Sequence, residues 1–408
     1  MKKSVLFLTT KYSNGENNLW LTNELALEFL NNNFDVHVLA LSWEKNDPKS
    51  SFEIENGINV LRIKLPNFMY KLGSMVKILF FQFYILYNYI RYMRKIKIKY
   101  IISSTPAFIF FVFPFFLKKI FNTINYMILW DFYPYCLEST KILKNNIIKN
   151  LFKYLEKISF YSYDIFGCMS NGNLNFFKEK YSILFKKRKV EILPIWAKDK
   201  EIFFLSEKEK KEFREKYNFT MNDFILIYGG AFSAVQELEK IVVLAEELKI
   251  EKNIKILMIG KGNEKERIKR EINSKKLKNI YIYDFIPRED YEKLVSICDI
   301  GIVCLSSDMK VPSFPSKTLD YFKLKIPILA MVDEVTDYLD ILKKNNMGIG
   351  MNGFSKDKLN ILIKELFKVM GDKEIKNQMG ENGNKYYKEK LNVKNSFKII
   401  SKHFWEKR

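Results

Sequence analysis

Histidine and cysteine are scarce in this 408-residue chain. His37 and His403, the two histidines, lie far apart in sequence, so neither a histidine-based metal centre nor a Ser-His-Asp triad is expected. The four cysteines, Cys136, Cys168, Cys298 and Cys304, lack C-x-x-C spacing and support neither a zinc site nor a disulfide framework. The uncharged aromatic run from Ile78 to Ile90 is shorter than the roughly 20 residues that span a bilayer. The start, MKKSVLFLTT, resembles a signal peptide, but its apolar run stops at Leu8 and no small-residue cleavage site follows. These absences lead us to expect a reducing, cytoplasmic setting. G-x-G-x-x-G and G-K-[ST] turns are also missing, which removes the NAD and ATP fingerprints. No cofactor and no metal is expected.

What is present is an ordinary globular composition, 48 % hydrophobic and 28 % charged, long enough for two or three domains. The net charge of +21 is uneven: residues 1–200 carry 29 lysines and arginines against 15 acidic residues. Such an excess suits an anionic surface, although a lysine- and asparagine-rich coding bias would raise it equally. Within it, residues 75–99 join an uncharged aromatic run, Ile78 to Ile90, to Arg91, Arg94, Lys95, Lys97 and Lys99. An apolar helix ending in basic residues can lie in a membrane interface, and it can equally be a core helix. A second stretch, Ala107 to Leu117, reads more readily as core. No nucleic-acid-binding motif is found, and the basic stretch is too hydrophobic for a phosphate-reading arm.

Apolar strands alternate with helical patterns along the whole chain. In the first half, strands are expected at Val5–Thr9, Asp35–Leu41, Ile58–Ile63, Tyr100–Ser104, Tyr126–Leu129, Asp164–Met169 and Val190–Leu193. Helices are expected at Leu19–Asn31, with Leu21, Leu25, Leu27 and Leu30 near one side, and at 75–98, 107–121 and 145–162. A charged stretch, Lys198 to Asp223, reads as a solvated helix at a boundary. Strands then resume at Phe224–Tyr228, Ile254–Ile259, Asn279–Tyr283, Ile300–Leu305 and Pro327–Met331, followed by C-terminal helices. Strands regularly separated by helices imply α/β units with doubly wound parallel sheets. We expect two Rossmann-like domains, 1–197 and 224–391, a linker at 198–223, and strand carboxyl ends facing a shared cleft where ligands bind.

Three glycine turns follow strands: Ser13-Asn14-Gly15, Gly229-Gly230 and Gly260-Lys261-Gly262. Glycine permits close backbone approach, and each turn alone is weak evidence for a ligand site. The most unusual segment is Val311-Pro312-Ser313-Phe314-Pro315-Ser316-Lys317-Thr318-Leu319-Asp320-Tyr321. There Ser316 is expected to cap a helix that begins with Lys317 and carries Asp320 one turn in. A hydroxyl and a lysine suit a diphosphate, a carboxylate suits sugar hydroxyls, and a well-capped surface helix would read the same. Asp131, in Trp130-Asp131-Phe132-Tyr133-Pro134, stands at a strand's carboxyl end, placed either to orient a sugar or assist proton transfer or to cap a turn. His37 is expected to be structural.

Together these residues resemble a GT-B glycosyltransferase of family 4, in particular the WbuB-like enzymes of bacterial surface-polysaccharide (capsule, O-antigen) assembly. Ile102-Ser103-Ser104-Thr105-Pro106 with Trp130 to Pro134 is similar to the subfamily's "TSPP … RDLWP". Leu193-Pro194-Ile195-Trp196 falls at its "PNW", Tyr228 to Phe232 at its glycine turn, and Ile259 to Gly262 at its "GxG". Pro312 to Tyr321 with Pro327-Ile328-Leu329-Ala330 resembles "P-x-F-P-S-K-x-x-E-Y … P-V-L-A".

The resemblance implies a retaining, metal-independent sugar transfer from a nucleotide-sugar donor to a lipid-linked glycan at the cytoplasmic membrane face. The donor would be UDP-linked, and the C-terminal helix, about 392–408, would pack back on the first domain. Gly15, Gly229, Gly230, Gly260, Gly262, Ser316, Lys317 and Asp320 would then serve the donor, with Asp131 and Lys317 catalytic. Arg91, Arg94, Lys95, Lys97 and Lys99 would meet the membrane or acceptor. Pro312 replaces the first glutamate of the family's E-x7-E, Gln236 lies near the position of a usual lysine, and Trp130 replaces a His or Arg. A non-catalytic membrane scaffold and a nucleotide-sugar epimerase are the alternatives.

Overall fold

The computed structural model describes residues 2–13, 20–71, 73–138, 145–198 and 205–405. The chain divides into two compact units, Met1–Lys198 with Asn392–Arg408, and Asp199–Leu391. Each is built on a parallel sheet.

The first sheet holds β1 (Ser4–Thr9), β2 (Asp35–Ser42), β3 (Ser51–Glu55), β4 (Ile58–Lys64), β5 (Tyr100–Ser104), β6 (Ile124–Leu129), β7 (Ile165–Cys168) and β8 (Lys189–Ile192). Their order is β3-β4-β2-β1-β5-β6-β7-β8. β1, SVLFLT, is buried at every residue, as a strand covered on both faces requires. Chain order reverses direction between β1 and β5, which makes their carboxyl ends the switch point of this sheet. β3 pairs antiparallel with β4 at the edge. Its SFEIE pattern is short, charged and outside the core, so periodicity does not announce it.

Two hydrophobic clusters cover the two sheet faces. One takes the helix Leu21–Asn31, whose buried residues are Thr22, Asn23, Leu25, Ala26 and Phe29, while Leu21, Leu27 and Leu30 are only partly covered. The C-terminal helix Val393–Trp405 joins the same face. Its Phe404 ring stacks on Tyr100 at 4.1 Å, and the Tyr100 hydroxyl donates to the Phe404 carbonyl (2.7 Å). The other face takes the helices Ser74–Asn88, Phe113–Phe121 and Asn146–Phe160. The helix expected over 107–121 is interrupted: a 3-10 turn, Ala107–Phe110, precedes Phe113–Phe121. Pro114 sits in the first turn of that second helix, where its missing N–H costs nothing. The helix Asn171–Lys180, capped by Ser170, was not among the expected elements.

The second sheet holds β9 (Phe224–Gly229), β10 (Ile254–Ile259), β11 (Ile280–Tyr283), β12 (Ile300–Cys304), β13 (Ile328–Val332) and β14 (Gly348–Asn352). All pairs are parallel, in the order β11-β10-β9-β12-β13-β14, with the switch point between β9 and β12. In β14, GIGMN, two glycines dilute the apolar pattern, so no strand is expected there. They are needed there: a side chain on Gly348 would meet the Ile328 carbonyl oxygen at 2.2 Å.

The charged stretch before β9 contains the helix Glu207–Lys216 with a reciprocal Ser206/Glu209 capping box. Arg214 donates to the carbonyls of Asp223 and Ile297, both at 2.8 Å, which ties the helix to the second unit. Residues 199–204 of the expected linker lie outside the described residues.

Candidate functional site

The second unit gathers its singled-out residues at the carboxyl ends of β9 and β10. Gly230 follows β9, and its N–H donates to the Ile259 carbonyl (3.0 Å) at the end of β10. Gly260 and Gly262 have φ of +150° and +155°. A side chain on Gly260 would sit 1.8 Å from the Gly230 carbonyl oxygen, and one on Gly262 would sit 2.1 Å from that of Phe232. The two turns thus press backbone to backbone, and the sides that Gly260 and Gly262 leave open are filled by the backbone of the first turn. Gly229 is pinned from below, because a side chain there would collide with the Tyr291 ring. Its N–H donates to the Tyr321 hydroxyl (3.2 Å), which itself donates to the Ile227 carbonyl (3.0 Å).

Lys317 arrives above Gly230 from the extended segment after β12. A side chain on Gly230 would meet Lys317 Cε at 3.2 Å. The Lys317 ammonium donates to Gln236 Oε1 (2.6 Å) and stands 5.1 Å from the centroid of the Tyr228 ring. Burial pushes its pKa down to about 8. Among the described residues it makes no ion pair and is held by an amide oxygen and a ring face, whereas Lys265, the other cation at these turns, donates to the Gly260 carbonyl (3.0 Å) and pairs with Asp284.

The helix after Lys317 differs from expectation. It runs Thr318–Lys323 with Lys317 itself at the cap position, and no side chain caps it. Ser316 is exposed and holds none of the helix N–H groups through its hydroxyl. The N–H groups of Thr318, Leu319 and Asp320 already donate to the carbonyls of Pro315, Ser316 and Lys317. The physical reason is the tight turn at Pro315: its i→i+3 bonds satisfy the donors that a capping serine would have taken. Any anion at this end therefore meets the Lys317 ammonium, and not these three N–H groups.

Asp320 lies one turn on and is doubly bonded by the Arg288 guanidinium, with one contact at 3.1 Å. Arg288 also donates to Glu292 (3.0 Å), which pairs with Lys323 (3.3 Å). Burial raises the Asp320 pKa against the opposing pull of Arg288. Arg288 was missed in the sequence: it opens a helix 32 residues before Asp320, and no spacing ties the two. Pro312, where a carboxylate would complete E-x7-E, is buried.

In the first unit, Asp131 follows β6. Its N–H donates to Thr105 Oγ1 (3.2 Å), so the ends of β5 and β6 are joined. The carboxyl meets solvent, yet the protein around it raises its pKa, while Lys11 after β1 opposes the rise. Trp130 lies 5.8 Å, ring to ring, from the fully buried Trp196, whose indole N–H donates to the Leu21 carbonyl (3.0 Å). Gly15 lies outside the described residues. Arg91, Arg94, Lys95, Lys97 and Lys99 are all exposed and stand before β5, whereas Asp131 and Thr105 stand past the strand ends. The strand's length, roughly 17 Å, separates the two groups. His37 is buried within β2 and shares Asp35 (3.0 Å) and Asn59 (3.3 Å), a structural role. Among the described residues no cluster of three or more His, Cys, Asp or Glu could hold a metal ion.

Residues 209–386 match the family described as Glycosyl transferases group 1. A stretch of 130 residues is 32 % identical to chitobiosyldiphosphodolichol beta-mannosyltransferase of Dictyostelium discoideum, covering 31 % of this chain and 24 % of that one. This chain thus spans about a quarter of that relative's length. Among solved structures, sucrose-phosphate synthase from Thermosynechococcus elongatus superposes with a TM-score of 0.75 at 12 % identity, over 99 % of this chain and 98 % of that one. Anabaena HepE in complex with UDP superposes with a TM-score of 0.67 at 12 % identity, over 99 % of both chains. The chain has the GT-B fold, and its second unit is a glycosyltransferase domain of group 1.

Proposed function

We propose that this chain transfers a sugar from a nucleoside-diphosphate donor, held by the second unit, to a lipid-linked glycan held by the first, at a membrane surface. The observation that carries the reading is Lys317, a largely buried ammonium without an ion-pair partner among the described residues, at the switch point of a group 1 glycosyltransferase domain. A diphosphate supplies the missing counter-charge. Asp320, one turn away, offers carboxylate oxygens to donor hydroxyls once Arg288 gives way.

In the proposed step the acceptor hydroxyl oxygen bonds to the anomeric carbon as that carbon's bond to the diphosphate breaks. The electron pair leaves with the diphosphate, where Lys317 stabilises the developing charge. Retention follows if the acceptor enters on the face the diphosphate leaves, its proton passing to a departing phosphate oxygen. Asp131 orients the acceptor hydroxyl. We take the donor as a UDP-N-acetylhexosamine type and the acceptor as a polyprenyl-diphosphate glycan of capsule or O-antigen type. The stretch shared with a mannosyltransferase that acts on a diphosphodolichol acceptor supports the lipid-diphosphate acceptor, and it favours a mannosyl donor as the second reading.

The test is thermal unfolding and calorimetric titration against a panel of nucleotides and nucleotide sugars, followed by transfer to a polyprenyl-diphosphate sugar. A midpoint raised by one nucleotide, and raised further by one of its sugars, supports the reading by mass action. A cooperative melt that no nucleotide shifts overturns it in favour of a non-catalytic scaffold.

A further inference from the structure

The first unit carries a second feature that the donor chemistry does not use. The helices Ser74–Asn88, Phe113–Phe121 and Asn146–Phe160 cover one hydrophobic cluster with Ile78, Phe81, Ile85, Phe113, Leu117 and Phe152. Their outward sides are apolar as well. Leu79 is 60 % exposed, Phe83 73 %, Tyr87 60 %, Phe115 52 %, Ile147 78 % and Tyr154 62 %. On the first helix the outward residues recur at helical spacing, 79, 83 and 87, opposite the buried 78, 81 and 85. A helix apolar on both sides, with one side left in water, requires a second apolar medium.

Charge selects that medium. From Gly57 to Trp130 the sequence has no aspartate or glutamate at all. In the helix Asn146–Phe160 the one acid, Glu156, is fully buried and accepts the N–H groups of Ala107 (3.0 Å) and Phe108 (2.9 Å). Arg91, Arg94, Lys95 and Lys119 are exposed on or beside the same helices, and Lys149 is partly exposed. The Arg91 guanidinium bonds the Tyr87 hydroxyl (3.2 Å) and lies 5.2 Å from the Tyr92 ring centroid, which holds a cation beside the apolar stripe. A partner protein's surface would bring charges of both signs. Asp164 and Glu138 lie beside these helices but pair with Lys118 (2.7 Å) and Lys153 (2.6 Å), so a sheet of anionic headgroups over hydrocarbon matches an aromatic face with an excess of basic residues. Among the described residues no helix is long and apolar enough to cross a membrane, so contact is at the surface.

We infer that this three-helix face docks the chain on an anionic bilayer, with the apolar residues in the acyl boundary and the basic residues at the headgroups. The inference rests on the membrane part of the proposed function and names the surface responsible. It brings in the helices Phe113–Phe121 and Asn146–Phe160, whose sequence did not set them apart from core.

The test is flotation of the full chain with vesicles of phosphatidylcholine alone and with an equal mixture of phosphatidylcholine and phosphatidylglycerol. Two triple variants are compared with the wild type: Leu79→Ser/Phe83→Ser/Phe115→Ser and Arg91→Glu/Arg94→Glu/Lys95→Glu. The wild type should bind the mixed vesicles at least about tenfold more tightly than the neutral ones, and added salt should release it. Each variant should lose about tenfold or more in affinity for the mixed vesicles while keeping the wild-type circular dichroism and nucleotide response. Wild-type binding that both variants retain overturns this surface but leaves membrane association standing. A wild type that stays in the aqueous fraction overturns both. A dimer in sedimentation velocity that the serine variant converts to monomer gives the face to a second copy, and also overturns the inference.

Discussion

The Lys317 ammonium lies 2.6 Å from Gln236 Oε1, a charged donor matched to a neutral acceptor. The amide satisfies one N–H bond but leaves the charge uncompensated in a largely buried position, where an anion is worth most. Replacing Lys317 by methionine keeps the stem's volume and removes the buried charge. Lys317→Met should therefore raise the stability near pH 7, by up to about 3 kcal/mol, while lowering nucleotide affinity at least about tenfold. Chemical denaturation paired with titration calorimetry reads both, and a variant that binds the nucleotide like the wild type removes Lys317 from the site.

Donor affinity should also depend on pH through this lysine. Its pKa of about 8 in the free protein rises when a diphosphate binds, because the ammonium gains a counter-charge. Binding thus takes up a proton near and above pH 8, and affinity is highest below that value and falls as pH rises through it. Calorimetry in two buffers of different ionisation enthalpy measures the proton uptake. The Lys317→Met protein should show none.

Arg288 holds Asp320 and Glu292 together, two carboxylates that would otherwise repel. Arg288→Ala should destabilise the second unit by about 1 kcal/mol near neutral pH, because the pair is partly exposed. The defect should shrink as the pH falls through about 4, where Asp320, raised by burial, takes up its proton before Glu292, which Lys323 and Arg288 hold below its ordinary value. Melting curves of the variant and the wild type across that range decide it: a defect that does not change with pH means that Arg288 contributes packing and not charge.

Much of this was legible in the amino-acid order. The fully buried runs such as SVLFLT and the helices between them identify parallel sheets, because apolar strands long enough to be covered on both faces leave few other architectures. Lys317 and Asp320 were legible as polar residues after an unusual two-proline segment. What was not legible depends on pairings across long separations. Arg288 meets Asp320 only through the packing of two helices. The capping role expected for Ser316 is taken by i→i+3 backbone bonds, which no residue type announces. β3 and β14 lack apolar alternation, since one is a charged edge and the other needs glycines against its neighbour. The outward apolar sides of the helices Phe113–Phe121 and Asn146–Phe160 look like core in sequence, because composition does not say which side faces the sheet.

Glu156 should give the first unit a pH-dependent stability. Burial raises its pKa to about 8, even though two N–H groups donate to it. The unfolded chain releases this proton near the ordinary glutamate value, so between there and about pH 8 the folded protein binds the extra proton. The stabilising contribution is therefore full below the unfolded value and is lost as pH rises through about 8, on the order of a few kcal/mol. Glu156→Gln cannot ionise, so its stability curve should lack this fall, whatever its absolute stability. Denaturation midpoints of the two proteins between about pH 5 and pH 9 are the measurement, and parallel curves would show that Glu156 does not hold its proton.

Gly260 tests whether the glycine turns serve packing before they serve any ligand. A methyl group there would sit 1.8 Å from the Gly230 carbonyl oxygen, and the residue's φ of +150° is one that side chains rarely adopt. Both effects act on the folded state in the absence of ligand. Gly260→Ala should cost about 3 kcal/mol or more and unfold the second unit at lower denaturant, with nucleotide present or not. Gly230 provides the contrast, because its added side chain would press on Lys317 Cε at 3.2 Å, the far end of a flexible chain. Gly230→Ala still has the φ of +156° against it, yet it should be the milder of the two in stability and the more damaging to nucleotide affinity in proportion. Denaturation and titration of both variants separate the two roles. Equal stability losses would mean that backbone conformation alone, and not the close approach of the two turns, requires these glycines.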